Sequence, residues 1–197
     1  MPIKDNLPLI VGISGASGAI YGVRLLQTLR TAGVQSHLVL SRAAALTLRE
    51  ECSLSVDTVR KMADVAHANG DVGASISSGS FKTRGMVIIP CSIRTLSDVV
   101  WGTTDTLLSR AADVVLKERR RLVLVVRETP LHAGHLRTMQ AATENGAIIM
   151  PPVPAFYHRP LTIDDLINQT VGRCLDLFDI DSGIVKRWRS DPPDTGV

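Results

Sequence analysis

Short, continuously apolar segments alternate with segments of helical patterning along most of the chain, and this alternation restricts the fold more than any other feature of the sequence. The clearest apolar segments are residues 7–13, 37–40, 85–91 and 122–126. Strands that are apolar at nearly every position are buried on both faces, which is typical of parallel sheets covered by helices. The sequence therefore predicts an α/β fold with a doubly wound, mostly parallel sheet.

Apolar residues at helical spacing predict the elements between these strands, beginning with a helix over residues 19–29. Further helices are predicted over residues 42–51, 57–66, 92–100, 105–120, 131–144 and 162–178, and a last strand over residues 147–150. At the start of the final helix, Thr162 and Asp165 match a capping box with Asp in place of Glu.

Length and composition indicate a globular protein. The 197 residues are 45% apolar and 21% charged, which excludes a disordered or low-complexity chain. No repeat or linker divides the sequence, so we expect one domain over residues 1–190 and a polar tail over residues 191–197. No segment reaches the roughly 18 consecutive apolar residues of a membrane helix, and the first residues lack the pattern of a signal peptide. We therefore expect a cytoplasmic protein with no membrane partner.

Charge and cysteine spacing limit the partners of the chain. The net charge of +3 is accompanied by a cluster of cations formed by Lys117, Arg119, Arg120 and Arg121. Such a cluster suits nucleic acid or a phosphorylated small molecule. Aromatic residues are 4% of the chain and none interleaves with the cluster, so we expect no nucleic-acid partner. The three cysteines lie far apart without zinc-ligand spacing, and we expect no metal.

The turn after the first strand is rich in small residues. Gly15, Ala16, Ser17 and Gly18 precede the first helix, whose N-terminal N–H groups suit an anion. The glycines are three residues apart, which matches neither a dinucleotide fingerprint nor a Walker A loop, and the second strand ends at Ser41 rather than at an acidic residue. The turn therefore predicts a phosphate site, with tight packing of helix on sheet as the alternative.

Other candidate ligands follow the remaining strands, at the edge where doubly wound sheets bind ligands. Ser92 and Thr95 share one face of a helix start, where they either cap the helix or bind a ligand. Arg127 and Glu128 end a buried strand, and an Arg can grip phosphate while a Glu moves protons. These residues, with Tyr157 beyond the last strand and Arg173 in the final helix, predict a phosphorylated ligand without naming the reaction.

Together these segments resemble the UbiX-type flavin prenyltransferases, a family also labelled as small subunits of aromatic-acid decarboxylases. The resemblance rests on GISGASGAIY, SGSFKTRGMVIIPCSIRT, RAADVVLKERRRLVLVVRETP and MPPVPAFY, which occur in this order along the chain. It implies a Rossmann-like or flavodoxin-like flavoprotein domain. It also implies the transfer of a dimethylallyl group from dimethylallyl monophosphate to N5 and C6 of reduced FMN. The prenylated FMN then serves a UbiD-type decarboxylase, and the enzyme is a metal-free homo-oligomer, often a dodecamer, with sites shared between subunits.

The resemblance also implies roles for individual residues. It implies that the flavin is held by Gly15, Ala16, Ser17, Ser41, Ser92, Ile93, Arg94, Thr95 and Arg127. It implies that the prenyl phosphate is held by Lys117, Tyr157 and Arg173. Ser17, Glu51 and Glu128 match the residues that handle protons, and Glu128 is the candidate base for the ring proton.

One departure and two alternatives accompany the resemblance. Many members have a longer loop, with a Trp, before the segment that begins at Ser78, whereas residues 71–77 contain no aromatic residue. Trp188 is then the aromatic candidate to help close the site. The alternatives are an FMN-binding decarboxylase subunit, for which Cys174 and His67 are poorly placed in sequence, and a flavin carrier that transfers no prenyl group.

Overall fold

The computed structural model describes residues 7–188, which form one six-stranded sheet with helices on both faces. The strands are β1 (Leu9–Ile13), β2 (Ser36–Leu40), β3 (Val65–His67), β4 (Gly85–Cys91), β5 (Arg121–Val126) and β6 (Ile148–Ile149). The helices are α1 (Ala19–Thr31), α2 (Ala44–Cys52), α3 (Val56–Arg60), α4 (Ile93–Val100), α5 (Leu107–Lys117), α6 (Ala133–Glu144) and α7 (Ile163–Asp176). The predicted boundary at residue 190 and the polar tail over residues 191–197 lie outside the described residues.

All neighbouring strands pair in parallel, in the order β3-β2-β1-β4-β5-β6. This is the doubly wound order of Rossmann-like folds, and it confirms the predicted fold class. The first connections move outward from β1 to one side, and the chain then crosses back to β4 on the other side. The loops that leave β1 and β4 therefore lead to helices on opposite faces of the sheet, and the carboxyl edge at this switch in strand order is where such folds bind ligands.

Two apolar layers cover the sheet. One contains buried residues of α1 and α7, such as Leu26 and Val171, and the other contains residues of α4 and α5, such as Leu96 and Val115. All five residues of β1 are buried, which explains the unbroken apolar pattern of this segment. Within residues 7–188 no helix is both long and apolar enough to cross a membrane.

Helix α7 begins as predicted. The Thr162 hydroxyl accepts a hydrogen bond from the Asp165 backbone N–H at 3.1 Å, and the Asp165 carboxylate accepts the Thr162 N–H at 2.9 Å. Arg24 of α1 donates to the Asp164 carboxylate at 2.8 Å and to the Asn168 side chain, and so attaches α7 to α1. These bonds fix the helix that carries Arg173.

The predicted helix over residues 57–66 is wrong in its second half. Helix α3 ends at Arg60, and the chain then forms β3, whose His67 pairs in register with Val39 of β2. The Asp64 carboxylate accepts the Ser36 backbone N–H at 2.7 Å and the Ser36 hydroxyl at 3.0 Å, which attaches the chain to the edge of the sheet. A three-residue edge strand has too little alternation to be recognised from sequence, and these long-range bonds override local preference.

Candidate functional site

The loop after β1 lies against the loop after β2. A Cβ atom added at Gly15 would lie 2.3 Å from Cβ of Ala43, so only a glycine permits this approach. Gly18 has φ of 100°, a left-handed conformation that glycine adopts without strain. The small residues of the turn therefore allow two loops to pack closely, which differs from the packing of helix on sheet that the sequence left open, and they also bring backbone to the crevice.

We expect Gly15→Ala to lower the free energy of unfolding by about 1–3 kcal/mol, because the added methyl group forces the two loops apart. Denaturant unfolding followed by circular dichroism measures the change. Gly70→Ala is the matched control, since a Cβ there meets no atom within 4 Å, and it should change stability by less than about 0.5 kcal/mol. Equal stability of the two variants would contradict this interpretation of the contact.

The first turn of α1 is capped by a carboxylate from another helix. Glu51, on α2, accepts the backbone N–H groups of Gly18 at 2.8 Å and Ala19 at 3.1 Å. Burial raises the pKa of Glu51, but the hydrogen bonds from Ser17, Gly18 and Ala19 and the charge of Arg127 outweigh burial and leave the pKa lowered. The sequence-based expectation that the N–H groups of Gly18 and Ala19 are open to a phosphate is therefore wrong.

The lowered pKa of Glu51 predicts a pH-dependent contribution to stability. Because the folded-state pKa lies below the ordinary value of 4.5, the contribution is complete above that pH and is lost as the pH falls through the lower, folded-state pKa. Wild-type protein should therefore exceed Glu51→Gln in free energy of unfolding at pH 7, and the difference should shrink below about pH 4.5. Unfolding titrations at several pH values test this.

Glu50→Gln on the same helix is the control for removing a carboxylate. Its side chain accepts from the neighbouring Arg49 on the surface at 3.0 Å. The Glu50→Gln variant should therefore lose less stability at pH 7 than Glu51→Gln. A Glu51→Gln difference that stays constant from pH 7 to pH 3 would exclude the proposed charge on the α1 cap.

Ser14 joins the loop after β1 to the loop after β4. Its buried hydroxyl donates to the Pro90 carbonyl at 2.9 Å and accepts the Ser92 backbone N–H at 2.7 Å. Ser92 in turn caps α4, since its hydroxyl accepts the Thr95 N–H at 3.3 Å. Ser92 and Thr95 thus have the capping role that the sequence left open, and both also line the crevice.

The crevice is a cavity of about 650 Å³. Its walls are Gly15, Ser41, Arg42, Ala43, Leu46, Asn69, Ser92, Arg94, Thr95, Asp98, Thr106, Leu108 and Ser109. The lining combines hydroxyl groups at the N-termini of α4 and α5 with apolar side chains such as Leu46 and Leu108. The cavity has the size and the mixed lining of a small-molecule site.

Asn69 and α5 form a side of the cavity that was not predicted from the sequence. The Asn69 carbonyl accepts the Leu107 N–H at 2.8 Å, and its side-chain oxygen accepts the Leu108 N–H at 3.1 Å. Asn69 thereby holds the start of α5 at the cavity. Asn69 comes just after β3, as Ser41 comes just after β2, and residues that follow strands are expected at this edge of the sheet. Because β3 was not recognised in the sequence, Asn69 was not expected there.

Arg127 and Glu128 leave β5 at the same edge of the sheet. The Arg127 backbone N–H donates to the Cys91 carbonyl at 3.0 Å, and its charge acts on Glu51. The exposed Glu128 carboxylate accepts the Thr129 N–H at 3.0 Å. The structure thus groups Ser17, Glu51 and Arg127 around the start of α1, with Glu128 adjacent in the chain.

A second cavity, of about 440 Å³, lies between the segment after β6 and the segment after α7. It is lined by Tyr157, Arg173, Val185, Arg187 and Trp188. Asp176 accepts from Arg173 at 2.6 Å and from Arg187 at 3.0 Å, which holds both guanidinium groups beside this space. The predicted pair Tyr157 and Arg173 is therefore brought together.

Lys117 lies apart from both cavities within the chain. It ends α5, about 12 Å along the helix axis from Ser109, and its ammonium group pairs with Glu118 at 2.5 Å. A Cβ at Gly79 would lie 2.9 Å from its Nζ, so Lys117 flanks the loop that precedes β4. One copy of the chain does not join Lys117 to Tyr157 and Arg173.

The thiols of Cys91 and Cys174 are poorly suited to nucleophilic chemistry. Both side chains are fully buried, and burial raises the pKa of Cys174 to about 12 and the pKa of Cys91 further still. A thiolate is the reactive form, so neither group is activated at neutral pH. Among the described residues, no three His, Cys, Asp or Glu side chains gather in a way that could hold a metal ion.

Comparisons with known proteins agree over nearly the whole chain. A family model described as Flavoprotein matches residues 3–188. The chain is 64% identical over 184 residues to a protein named flavin prenyltransferase UbiX from Escherichia coli (strain K12). The aligned region covers 92% of this chain and 97% of the relative.

Two solved structures share the fold. The crystal structure of AnUbiX (PadA1) in complex with FMN and dimethylallyl pyrophosphate has a TM-score of 0.92 and 49% identity, covering 94% of this chain and 98% of that chain. A dodecameric FMN-dependent UbiX-like decarboxylase from Escherichia coli O157:H7 has a TM-score of 0.91 and 48% identity, covering 93% of this chain and 100% of that chain. The chain is therefore a member of the flavoprotein family and, within it, of the UbiX-type flavin prenyltransferases.

Proposed function

We propose that this protein is a flavin prenyltransferase that joins the dimethylallyl group of dimethylallyl monophosphate to N5 and C6 of reduced FMN and releases phosphate. The observation that carries the proposal is the 650 Å³ cavity at the crevice between β1 and β4. It occurs in a chain 64% identical to a relative with this name. The allylic carbon–oxygen bond breaks, phosphate leaves, and bonds to N5 and C6 form as each atom loses its proton. One of these protons goes to the former alkene carbon of the prenyl group and the other to phosphate.

The residues of the cavity fit FMN. Ser92 and Thr95 place hydroxyl groups at the N-terminus of α4, Ser41 places one at the start of α2, and Arg94 adds a cation. Together these groups suit the phosphate of a mononucleotide. Ala43 and other apolar side chains offer a surface for a flat ring. We assign the flavin to this cavity, with Ile93 within the same helix start and with Gly15, Ala16 and Ser17 providing backbone contacts.

The prenyl phosphate is assigned to the cavity that Tyr157 and Arg173 line. A phenol and a guanidinium group beside one space can hold a phosphate dianion through charge-assisted hydrogen bonds. Fixed donors of this kind stabilise the phosphate as it departs. Lys117 is assigned to the same group, but its place at the far end of α5 requires that a neighbouring copy supply it.

Proton handling is assigned to Ser17, Glu51 and Glu128. Reduced FMN supplies, when bound, the nucleophilic N5 and C6 atoms. Glu51 is held ionised by its hydrogen bonds at the start of α1 and so can accept a proton through Ser17. Glu128 is an exposed carboxylate beside Arg127 at the carboxyl edge of the sheet, and we assign to it the removal of the ring proton from C6.

The same proposal includes an assembly and a partner. The UbiX-like structure from Escherichia coli O157:H7 is dodecameric, and we propose a homo-oligomer, with a dodecamer as its form. Prenylated FMN is a cofactor rather than an end product, so we propose a UbiD-type decarboxylase as the receiving enzyme. We infer a cytoplasmic location from the reduced flavin that the reaction consumes.

Anaerobic incubation of the protein with reduced FMN and dimethylallyl monophosphate tests the proposal. We expect a new reduced flavin whose mass exceeds that of reduced FMN by one C5H8 unit, together with one equivalent of phosphate. Folded, flavin-loaded protein that returns FMN unmodified would contradict the proposal and favour a flavin carrier. Release of CO₂ from an aromatic acid by this chain alone would instead favour a decarboxylase.

A further inference from the structure

Gln169 is a buried polar side chain that connects the two walls of the second cavity, which Tyr157 lines. It lies on α7 and is 3% exposed. Its amide nitrogen donates to the Tyr157 hydroxyl oxygen at 2.7 Å and to the Lys186 carbonyl at 3.1 Å. Its amide oxygen accepts the Lys186 backbone N–H at 3.0 Å. One side chain thus contacts the segment after β6 and the segment after α7.

The backbone of Lys186 fixes which way the Gln169 amide faces. A backbone N–H can only donate, so the Gln169 atom opposite it must be the oxygen. The Lys186 carbonyl can only accept, so the atom opposite it must be the nitrogen. Both protons of that nitrogen are then directed to the Lys186 carbonyl and to Tyr157.

The orientation of Gln169 determines the role of the Tyr157 hydroxyl. Since Gln169 donates, the phenol oxygen accepts, and its own proton must point away from Gln169. A phenol proton prefers the plane of its ring and has two such positions, so occupation of one side selects the other. The ring of Tyr157 is further held by Trp188, at a centroid distance of 5.6 Å and an interplanar angle of 85°.

We propose that Gln169 is a positioning residue, which aims the Tyr157 O–H into the cavity beside Arg173 as a donor to the phosphate of the prenyl substrate. The inference rests on the proposed function for the identity of that substrate. Gln169 also attaches Lys186, and with it the adjoining Arg187 and Trp188, to α7. Loss of the amide therefore misdirects one donor and loosens one wall, while the flavin cavity is unchanged.

The test compares Gln169→Met with wild type in FMN-loaded protein. We expect the Kd for dimethylallyl monophosphate, and for inorganic phosphate, to rise about tenfold by calorimetry. KM for the prenyl donor should rise similarly with kcat changed less than about threefold, and the Kd for FMN should stay within about twofold of wild type. Gln35→Met, on the exposed loop before β2, is the matched control and should resemble wild type.

A double-mutant cycle with Tyr157→Phe separates positioning from packing. In the Tyr157→Phe background, Gln169→Met should weaken phosphate binding by less than about twofold further. Equal weakening in both backgrounds, or wild-type phosphate binding by Gln169→Met, would overturn the proposal. If Gln169→Met does not fold, Gln169→Glu replaces it, because a carboxylate still accepts the Lys186 N–H but cannot donate to Tyr157.

Measuring the binding of inorganic phosphate tests this inference separately from the proposed function. Wild-type protein that binds phosphate through Gln169 and Tyr157 yet forms no prenylated flavin would refute prenyl transfer and leave the positioning role intact. Wild-type protein that forms prenylated flavin with no dependence on Gln169 would refute the positioning role alone.

Discussion

Glu128→Gln should bind FMN with wild-type affinity and form prenylated FMN about 10²–10⁴ times more slowly, the usual loss when a general base is removed. Glutamine keeps the size of the side chain and can still accept the Thr129 N–H that the carboxylate accepts at 3.0 Å. It cannot take the proton from the flavin ring. Anaerobic single-turnover spectroscopy, with flavin mass determined at the end point, measures the rate.

Glu144→Gln is the control for Glu128→Gln. Glu144 is an exposed carboxylate at the end of α6, where it accepts from Gln140 at 2.9 Å. Its replacement should leave the rate within about twofold of wild type, as expected for a surface position. A Glu128→Gln rate above a tenth of the wild-type rate would remove Glu128 from the proposed chemistry.

Mixed oligomers of Lys117→Ala and Glu128→Gln should regain activity that neither variant has alone. Within one chain the two residues flank β5, whose six residues span about 20 Å, so a single copy does not bring them to one site. If neighbouring copies supply Lys117 and Glu128 to each site, a random 1:1 mixture contains about a quarter of intact sites. Co-expression with two affinity tags and assay of the doubly selected oligomer provide the measurement.

The matched control mixes Glu128→Gln with a Lys117→Ala/Glu128→Gln double variant. Those oligomers contain no intact Glu128 and should stay inactive, which excludes rescue by assembly alone. Mixed single-variant oligomers that are no more active than this control would show that the two residues do not serve one site from different subunits.

The order and burial of the main elements could be predicted because each carries its own pattern. The strand at residues 122–126 is apolar throughout because β5 is covered on both faces. The capping box of α7 could be predicted because it needs only Thr162 and Asp165, three residues apart. The residues that follow the strands could be placed at one edge because parallel topology brings carboxyl ends together. Ser41 and Ser92 line the cavity for this reason.

The remaining features depend on contacts between distant parts of the chain. β3 is held by Asp64 and Ser36, which lie 28 residues apart, and nothing in residues 57–66 indicates this pairing. The partner of the α1 N-terminus is Glu51, 33 residues from Gly18. In the sequence, Gln169 has the pattern of an ordinary polar helix residue. Its proposed positioning role follows only from its contacts with Tyr157 and Lys186. Such partners require tertiary structure because local sequence does not specify them.

The carboxylate that caps α1 acts as an internal counterion. Because Glu51 is part of the chain, its local concentration at Gly18 and Ala19 exceeds that of any dissolved phosphate, and competing anions do not displace it easily. The positive end of the first helix, the usual phosphate position of a Rossmann-like fold, is thereby withdrawn from nucleotide recognition. A mononucleotide must then place its phosphate against other loops, which leaves the small residues after β1 free to approach a neutral ring.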